Sequence, residues 1–298
     1  MRMPQAQIEL IEKVSAVNKN VVVVLSAGSS VEMPWADRVA AIVHGYLGGQ
    51  AGASAMLDVL TGATCPSGKL NETYAYSLED VASTSYYPAI ERSSEYREGL
   101  YMGYRYFDTA GVKVRFPFGF GLSYTTFVYS DLAVDGGGVT FTITNTGECD
   151  GAEIAQMYVG HERSHLFGPK KELKGFAKVF LKKGESQQVM IPFDDKTFRY
   201  YNVKTDGWEV EGGAYQIYIG ASVEDIRLRT EIEKESSGAE LPYDMKRLPS
   251  YADGQVKAVS DQEYAYLYGR DLPPAKWDTS GKLDKNDAIC QMYYAKSY

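Results

Sequence analysis

The sequence predicts an α/β layer, in the form of a partial doubly wound sheet, followed by an all-β sandwich. Three observations support this fold class. An unbroken apolar run at 21–25 lies among amphipathic helical patterns, short alternating segments fill the chain from about residue 123, and 298 residues suffice for two domains.

In the first part, residues 5–17 carry apolar side chains at three-residue intervals and predict an amphipathic helix. The run at 21–25 predicts a parallel strand buried on both faces. Further helices are predicted over 36–47, from the spacing of Val39, Ile42, Val43 and Tyr46, and over 51–61. A doubly wound sheet needs several parallel strands, and only one is evident here, so this region resembles half of a domain.

From about residue 123, apolar and polar side chains alternate, as in Val139, Phe141 and Ile143 against intervening threonines. About seven such strands with Gly, Asp and Asn turns between them predict a sandwich of immunoglobulin-like type. Trp208 is expected to fill its core. Beyond about residue 236 the chain predicts a tail packed on another part of the molecule, with short helices near 260–268 and 284–296.

The composition excludes several classes of function. The formal net charge of −8 and the pI near 5.1 oppose binding to nucleic acid. No apolar run approaches the roughly 20 residues of a membrane helix. No signal peptide is visible at the start, which favours a cytoplasmic location.

The cysteines and histidines predict neither a redox pair nor a metal centre. Cys65, Cys149 and Cys290 are widely spaced and are interpreted as reduced structural thiols. His161 and His165 lie in a stretch bounded by glycines and proline, which predicts a loop. The common nucleotide, zinc-protease and serine-hydrolase motifs are also absent, and no cofactor is expected.

Residues 91–108 combine paired Glu and Arg side chains with many aromatic rings. Such a segment suits a domain-docking interface or a sugar subsite, and the first is favoured. The candidate substrate-adjacent residues are Glu95, Tyr96, Arg97 and Tyr101. Among the carboxylates of this chain, Glu98 is the catalytic candidate.

Four long runs stand out in the first part of the chain: VVVVLSAGSSVEMPW, GGQAGASAMLDVLTGATCPSGKLNETY, YREGLYMGYRYFD and RFPFGFGLSYTTF. They resemble the second half of the α/β sandwich domain of β-glucosidases of glycoside hydrolase family 3. The runs NTGECDGAEIAQMYV, PKKELKGFAKVFLKKGES and GGAYQIYIGAS resemble the fibronectin type III-like domain that follows, and SDQEYAYLYGRDLPP resembles the extension in some bacterial members.

The resemblance implies domains over 1–122, 123–235 and 236–298. It also implies part of a retaining β-glycosidase that removes terminal non-reducing sugars from β-linked oligosaccharides or aryl glycosides. That reaction needs two carboxylates roughly 5 Å apart. In this family the nucleophilic Asp belongs to a (β/α)8 barrel and the acid/base Glu to a segment before residue 5, so neither is expected in this chain. The barrel is expected in cis or as a separate chain.

Two other hypotheses stay open at this stage. The chain could be a non-catalytic module that binds glycans or another protein through aromatic loops. It could also be a structural fragment whose open sheet edge and apolar face lead to an oligomer unless a partner covers them.

Overall fold

The computed structural model of this chain describes residues 2–89, 93–274, 285 and 289. An α/β region leads into a β-sandwich, and a segment of short helices then packs back on the α/β region. The predicted fold class is thereby confirmed. Within the described ranges, no helix is long and apolar enough to cross a membrane.

The α/β region contains one parallel strand pair and one antiparallel pair. Its elements are α1 (Gln5–Val17), β1 (Val22–Leu25), β2 (Ala41–His44), α2 (Gly52–Thr61), β3 (Tyr74–Ala75), α3 (Tyr104–Ala110) and β4 (Val114–Phe116). β1 pairs with β2 in parallel, and β3 pairs with β4 in antiparallel orientation. The helices predicted over 5–17 and 51–61 are confirmed as α1 and α2.

The helix predicted over 36–47 is wrong. A 3-10 turn over Ala36–Arg38 is followed by β2, in which Val24 lies opposite Val43. The spacing of Val39, Ile42 and Val43 also fits a helix face, but adjacent β-branched residues favour a strand. Pairing with β1 then satisfies the backbone of this segment, so the region has two parallel strands where the sequence suggested one.

β1 is buried on one face only, which corrects the expectation of burial on both. Val23 and Leu25 pack in a cluster around Trp35, whereas Val22 and Val24 on the other face are about half exposed. Among the described residues, the elements around β1 pack on the Val23 and Leu25 face of the sheet and leave the other face uncovered. The predicted partial sheet is therefore confirmed, and its outer face stays apolar and open.

The predicted sandwich is confirmed. Its strands are β5 (Phe127–Val134), β6 (Gly138–Asn145), β7 (Gly151–Gly160), β8 (Glu172–Leu181), β9 (Ser186–Pro192), β10 (Arg199–Asn202), β11 (Gly207–Val210), β12 (Gly213–Gly220) and β13 (Ile226–Lys234). One sheet has the order β5-β6-β9 and the other β13-β12-β7-β8. Val139, Phe141 and Ile143 alternate into the core between them and are fully buried.

Trp208 does not fill that core, so this expectation is wrong. It lies on β11, which pairs only with β10 in a separate hairpin, and 57% of its surface is exposed. The neighbouring strand β12 supplies Tyr215, Ile217 and Ile219 to the core instead.

The chain after the sandwich packs on the α/β region, as expected for the tail. Its helices are α4 (Pro249–Ala252) and α5 (Asp261–Tyr268), with 3-10 turns at Met245–Arg247 and Val256–Ala258. Leu248 and Tyr251 are buried against Tyr101 and Phe107. α5 confirms the helix predicted near 260–268, and the piece predicted at 284–296 falls outside the described residues.

The structure describes two of the three cysteines and the loop predicted around His161 and His165. Cys65 and Cys149 are free, and Cys290 falls outside the described residues. His161 and His165 lie in the loop between β7 and β8. The described part of the chain contains no group of three or more His, Cys, Asp or Glu side chains that could hold a metal ion.

Candidate functional site

A cleft of about 410 Å³ opens beside the segment that the sequence analysis singled out. Three stretches form it: the chain before β3, the 3-10 turn over Ala82–Ser85, and the residues that lead into α3. The cleft is lined by Ser30, Asn71, Glu72, Thr73, Val81, Ala82, Ser83, Glu98, Tyr101, Met102, Gly103, Tyr104, Arg105, Tyr106, Phe107 and Phe118.

Within the described ranges, two buried polar atoms of this cleft lack hydrogen-bond partners. Glu98 is only 4% exposed, and its Oε2 atom has no hydrogen-bond partner among the described residues. The Oγ1 atom of Thr73, which is also buried, is likewise unpaired within that part of the chain. Because burying a polar group without a hydrogen bond costs free energy, such atoms mark a place where a further donor or acceptor fits.

The walls of the cleft are aromatic and rigid. The rings of Tyr104 and Phe118 stack with centroids 4.6 Å apart, and the Tyr104 hydroxyl accepts a 2.8 Å hydrogen bond from the Leu173 N–H of β8. Burial raises the pKa of Tyr104, so its hydroxyl stays protonated at neutral pH. The unpaired Glu98 Oε2 and Thr73 Oγ1 atoms in this cleft can accept hydrogen bonds from a group that donates them.

Arg97 does not reach this cleft. Its Nη2 atom lies 2.6 Å from both the Glu95 and the Asp261 carboxylates, and its Nη1 donates to the Val259 carbonyl at 2.8 Å. The Tyr264 ring lies 5.1 Å from the guanidinium carbon. Arg97, which also pairs with Glu95, therefore binds the C-terminal helical segment, which is the docking role that the sequence analysis favoured.

Tyr101 and Tyr96 have different environments. Tyr101 lines the cleft but is fully buried, and its hydroxyl donates to the carbonyls of Gly168, at 3.2 Å, and of Tyr251. Burial raises the pKa of Tyr101 to about 12. Tyr96 is exposed and is not part of the lining.

The structure thus brings Glu98 and Tyr101 together and separates them from Glu95, Tyr96 and Arg97. A role for any of them next to substrate remains a prediction. Sequence analysis missed Thr73 and Phe118, which lie far from residues 91–108 along the chain. Their only signal was membership in the runs that resemble the family.

A second polar cluster lies at the carboxyl end of β2, the edge where open α/β sheets bind ligands. The Tyr74 hydroxyl is 2.6 Å from His44 Nε2, and the Tyr46 hydroxyl donates to Asn71 at 2.9 Å. Burial raises the pKa of Tyr74. These groups satisfy one another, so the unpaired atoms of the Glu98 cleft are the better indication of a site.

The chain was compared with known proteins. Residues 1–124 match the glycosyl hydrolase family 3 C-terminal domain, and residues 153–223 match the fibronectin type III-like domain. Thermostable beta-glucosidase B of Acetivibrio thermocellus is 45% identical over 245 residues, which are 80% of this chain and 32% of that protein. Exo-alpha-(1->6)-L-arabinopyranosidase of Bifidobacterium breve is 44% identical over 246 residues, with the same coverage of 80% and 32%.

Solved structures support the same relationship. The crystal structure of the Bifidobacterium adolescentis GH3 beta-glucosidase matches with a TM-score of 0.76 and 42% identity, over 85% of this chain and 39% of that one. A beta-glucosidase of Streptomyces venezuelae in complex with D-glucose has a TM-score of 0.76 at 36% identity, over 78% of this chain and 31% of that one. The chain spans about a third of the length of the curated relatives it matches.

Proposed function

Since this chain belongs to glycosyl hydrolase family 3, as its C-terminal domain followed by the fibronectin type III-like domain, we propose that it works as the C-terminal part of a β-glycosidase. The enzyme removes terminal non-reducing β-linked sugars from oligosaccharides or aryl glycosides. The nucleophilic Asp and the acid/base Glu come from the part of the enzyme outside this chain, so the chain alone is inactive.

The observation that carries this proposal is the open apolar face of the α/β region. Val22 and Val24 on β1 and Leu10, Val14 and Val17 on α1 are exposed although they belong to a strand and a helix of a folded layer. Exposed apolar side chains on both a strand and a helix of one layer indicate surfaces that a further part of the molecule covers. We propose that the remainder of the α/β domain packs on these side chains, because the matched relatives are about three times as long as the stretch they share with this chain.

The Glu98 cleft has a proposed place in the same assembly. The unpaired atoms of Glu98 and Thr73 would accept hydrogen bonds from the part of the enzyme outside this chain when it docks. This role extends the docking function that Arg97 already performs inside the chain. Glu98 is then a positioning residue, and it does not touch the reacting sugar.

The test compares this chain alone with a chimera. The purified 33.0 kDa chain, with its intact mass verified, is assayed on aryl β-glucoside and aryl β-xyloside. The chimera carries this chain in place of the matched third of the Acetivibrio thermocellus enzyme, and that enzyme without its matched third is the control.

We expect turnover by the chimera and none by the chain alone or by the truncated control. If activity co-purified with this chain in the absence of any other protein, the catalytic carboxylates would lie within it. An intact, folded chimera that binds neither substrate would refute the proposed accessory role.

A further inference from the structure

An exposed aromatic pair lies on the β10–β11 hairpin of the sandwich. Trp208 and Tyr201 are direct partners in the register of the two strands, so both rings are on one face of the hairpin. Their centroids are 5.3 Å apart with an edge-on angle of 77°, and 57% of Trp208 and 47% of Tyr201 are exposed. Together with Arg199, these residues are called the Trp208 platform below.

The platform is held in place by its polar neighbours. The Arg199 guanidinium lies 4.2 Å from the centre of the indole, and its Nη1 donates to the Asp195 carboxylate at 2.6 Å. The Tyr201 hydroxyl donates to the Asp206 carboxylate. Both rings are therefore fixed before any ligand arrives, which lowers the entropic cost of binding.

The chemistry around the rings selects the ligand. The exposed part of the Trp208 indole packs against C–H groups. The Asp206 and Asp195 carboxylates, which bind Tyr201 and Arg199, have further lone pairs that accept hydrogen bonds from hydroxyl groups. These carboxylates, on a chain with a net charge of −8, repel a polyanion. A pyranose with equatorial hydroxyls offers apolar faces and a hydroxyl rim, and β-linked glucose chains repeat that surface.

From this arrangement we infer that the Trp208 platform is a binding site for neutral β-linked glucans. It binds without cleaving, and it lies on the sandwich, away from the Glu98 cleft. The inference does not depend on the proposed hydrolase function, because the chain alone can be tested for binding.

The experiment is affinity electrophoresis of the whole chain in gels that contain soluble mixed-linkage β-glucan, with dextran, an α-linked glucan, as the control polymer. We expect retardation by β-glucan only. Trp208→Ala should weaken binding about tenfold or more, and Trp208→Phe should retain part of the affinity. Phe180→Ala, which removes another exposed ring on β8, should have no effect.

Tryptophan fluorescence gives an independent measurement. The chain has three tryptophans, so the signal of Trp208 is the difference between the wild type and Trp208→Phe. Acrylamide quenching that β-glucan suppresses in the wild type and not in Trp208→Phe would locate the ligand on the platform. Equal mobility in both gels at saturating β-glucan, or equal weakening by Phe180→Ala, would overturn the inference. A dimer in light scattering that Trp208→Ala abolishes would also overturn it and assign the platform to a second copy of this chain.

Discussion

Arg97 and Asp261 are 164 residues apart in the sequence, and their Nη2 and Oδ1 atoms are 2.6 Å apart in the fold. The whole sandwich lies between these two residues in the sequence, and the chain after it packs back on the α/β region. The ion pair joins α5 to the segment before α3, above a shared core of Tyr101, Leu248 and Tyr251. The C-terminal segment is therefore an integral part of the α/β region.

Truncating Arg97 should destabilise this junction. Arg97→Ala leaves the Glu95 carboxylate and the Val259 carbonyl without their donor, so we expect a loss of about 2 to 3 kcal/mol in the free energy of unfolding. Urea denaturation measures it. Asp261→Asn is the matched control, since the Asp261 side chain is 76% exposed and its loss should cost less than about 1 kcal/mol. Equal effects of the two variants would contradict the docking role of Arg97.

Glu98→Gln separates structural from catalytic roles. The Oε2 atom of Glu98 is buried without a partner among the described residues, so a neutral amide of similar shape should keep or raise the free energy of unfolding. Denaturation of the wild type and the variant provides the measurement. A loss above about 1 kcal/mol would show that the carboxylate already has a strong partner.

The same variant in the active chimera distinguishes docking from catalysis. If Glu98 positions the remainder of the enzyme, the Tm of the chimera should fall while kcat changes by less than about tenfold. A loss of kcat of a thousandfold or more would assign a catalytic role. A raised KM with unchanged kcat and Tm would instead place Glu98 against the substrate.

Truncating a side chain in the sandwich core should destabilise the protein more than truncating one on the β10–β11 hairpin. Phe141 is fully buried between the sheets, so Phe141→Ala should cost about 3 to 5 kcal/mol. Trp208→Ala removes a larger ring from an exposed site and should cost less than about 1 kcal/mol. Thermal unfolding of both variants measures the contrast. A larger loss for Trp208→Ala would mean that the hairpin packs into the core.

Glu263 should contribute to acid sensitivity. Burial by itself raises the pKa of Glu263, but hydrogen bonds from the N–H and hydroxyl groups of Ser250 and Ser260 hold it below the usual value. A carboxylate with a lowered folded pKa stabilises the fold above its unfolded pKa, and that stability is lost as the pH falls through the folded value.

Glu263→Gln should therefore be less stable than the wild type at neutral pH, with a difference that shrinks as the pH drops below about 4.3, the ordinary pKa of Glu. Urea denaturation between pH 7 and pH 3 measures this change. Glu231→Gln, at an exposed position on β13, is the control. If the difference in the free energy of unfolding between the wild type and Glu263→Gln stayed constant with pH, the pKa of Glu263 would not be lowered in the folded protein.

Local patterns predicted much of the fold but not the pairing of short apolar segments. The alternation in β6 identified its buried face, since a strand in a sandwich has one side in the core. The segment that became β2 satisfied a helical spacing equally well. Only parallel pairing with β1 decided between the two, and that pairing depends on residues some twenty positions away.

Sequence analysis recovered only part of the candidate site. Glu98 and Tyr101 belonged to the segment that its charge and aromatic density marked, whereas Thr73 and Phe118 had no local pattern of their own. Arg97 and Glu95 shared that segment with Glu98, yet Arg97 binds α5 and Glu95 pairs with Arg97. Neighbours in an irregular segment have no fixed periodicity, so sequence spacing does not tell which side chain faces which surface.

The sequence by itself determined the family, the order of an α/β part and a sandwich, and the absence of a signature for nucleotide or metal chemistry. These follow from composition, periodicity and long ordered motifs, which are properties of the chain alone. Tertiary structure alone decided that Arg97 binds the C-terminal segment, that Trp208 is exposed and that the Oε2 atom of Glu98 is buried without a partner among the residues the structure describes. Burial and pairing depend on residues distant in sequence, because each side chain finds its partners only when the folded elements meet.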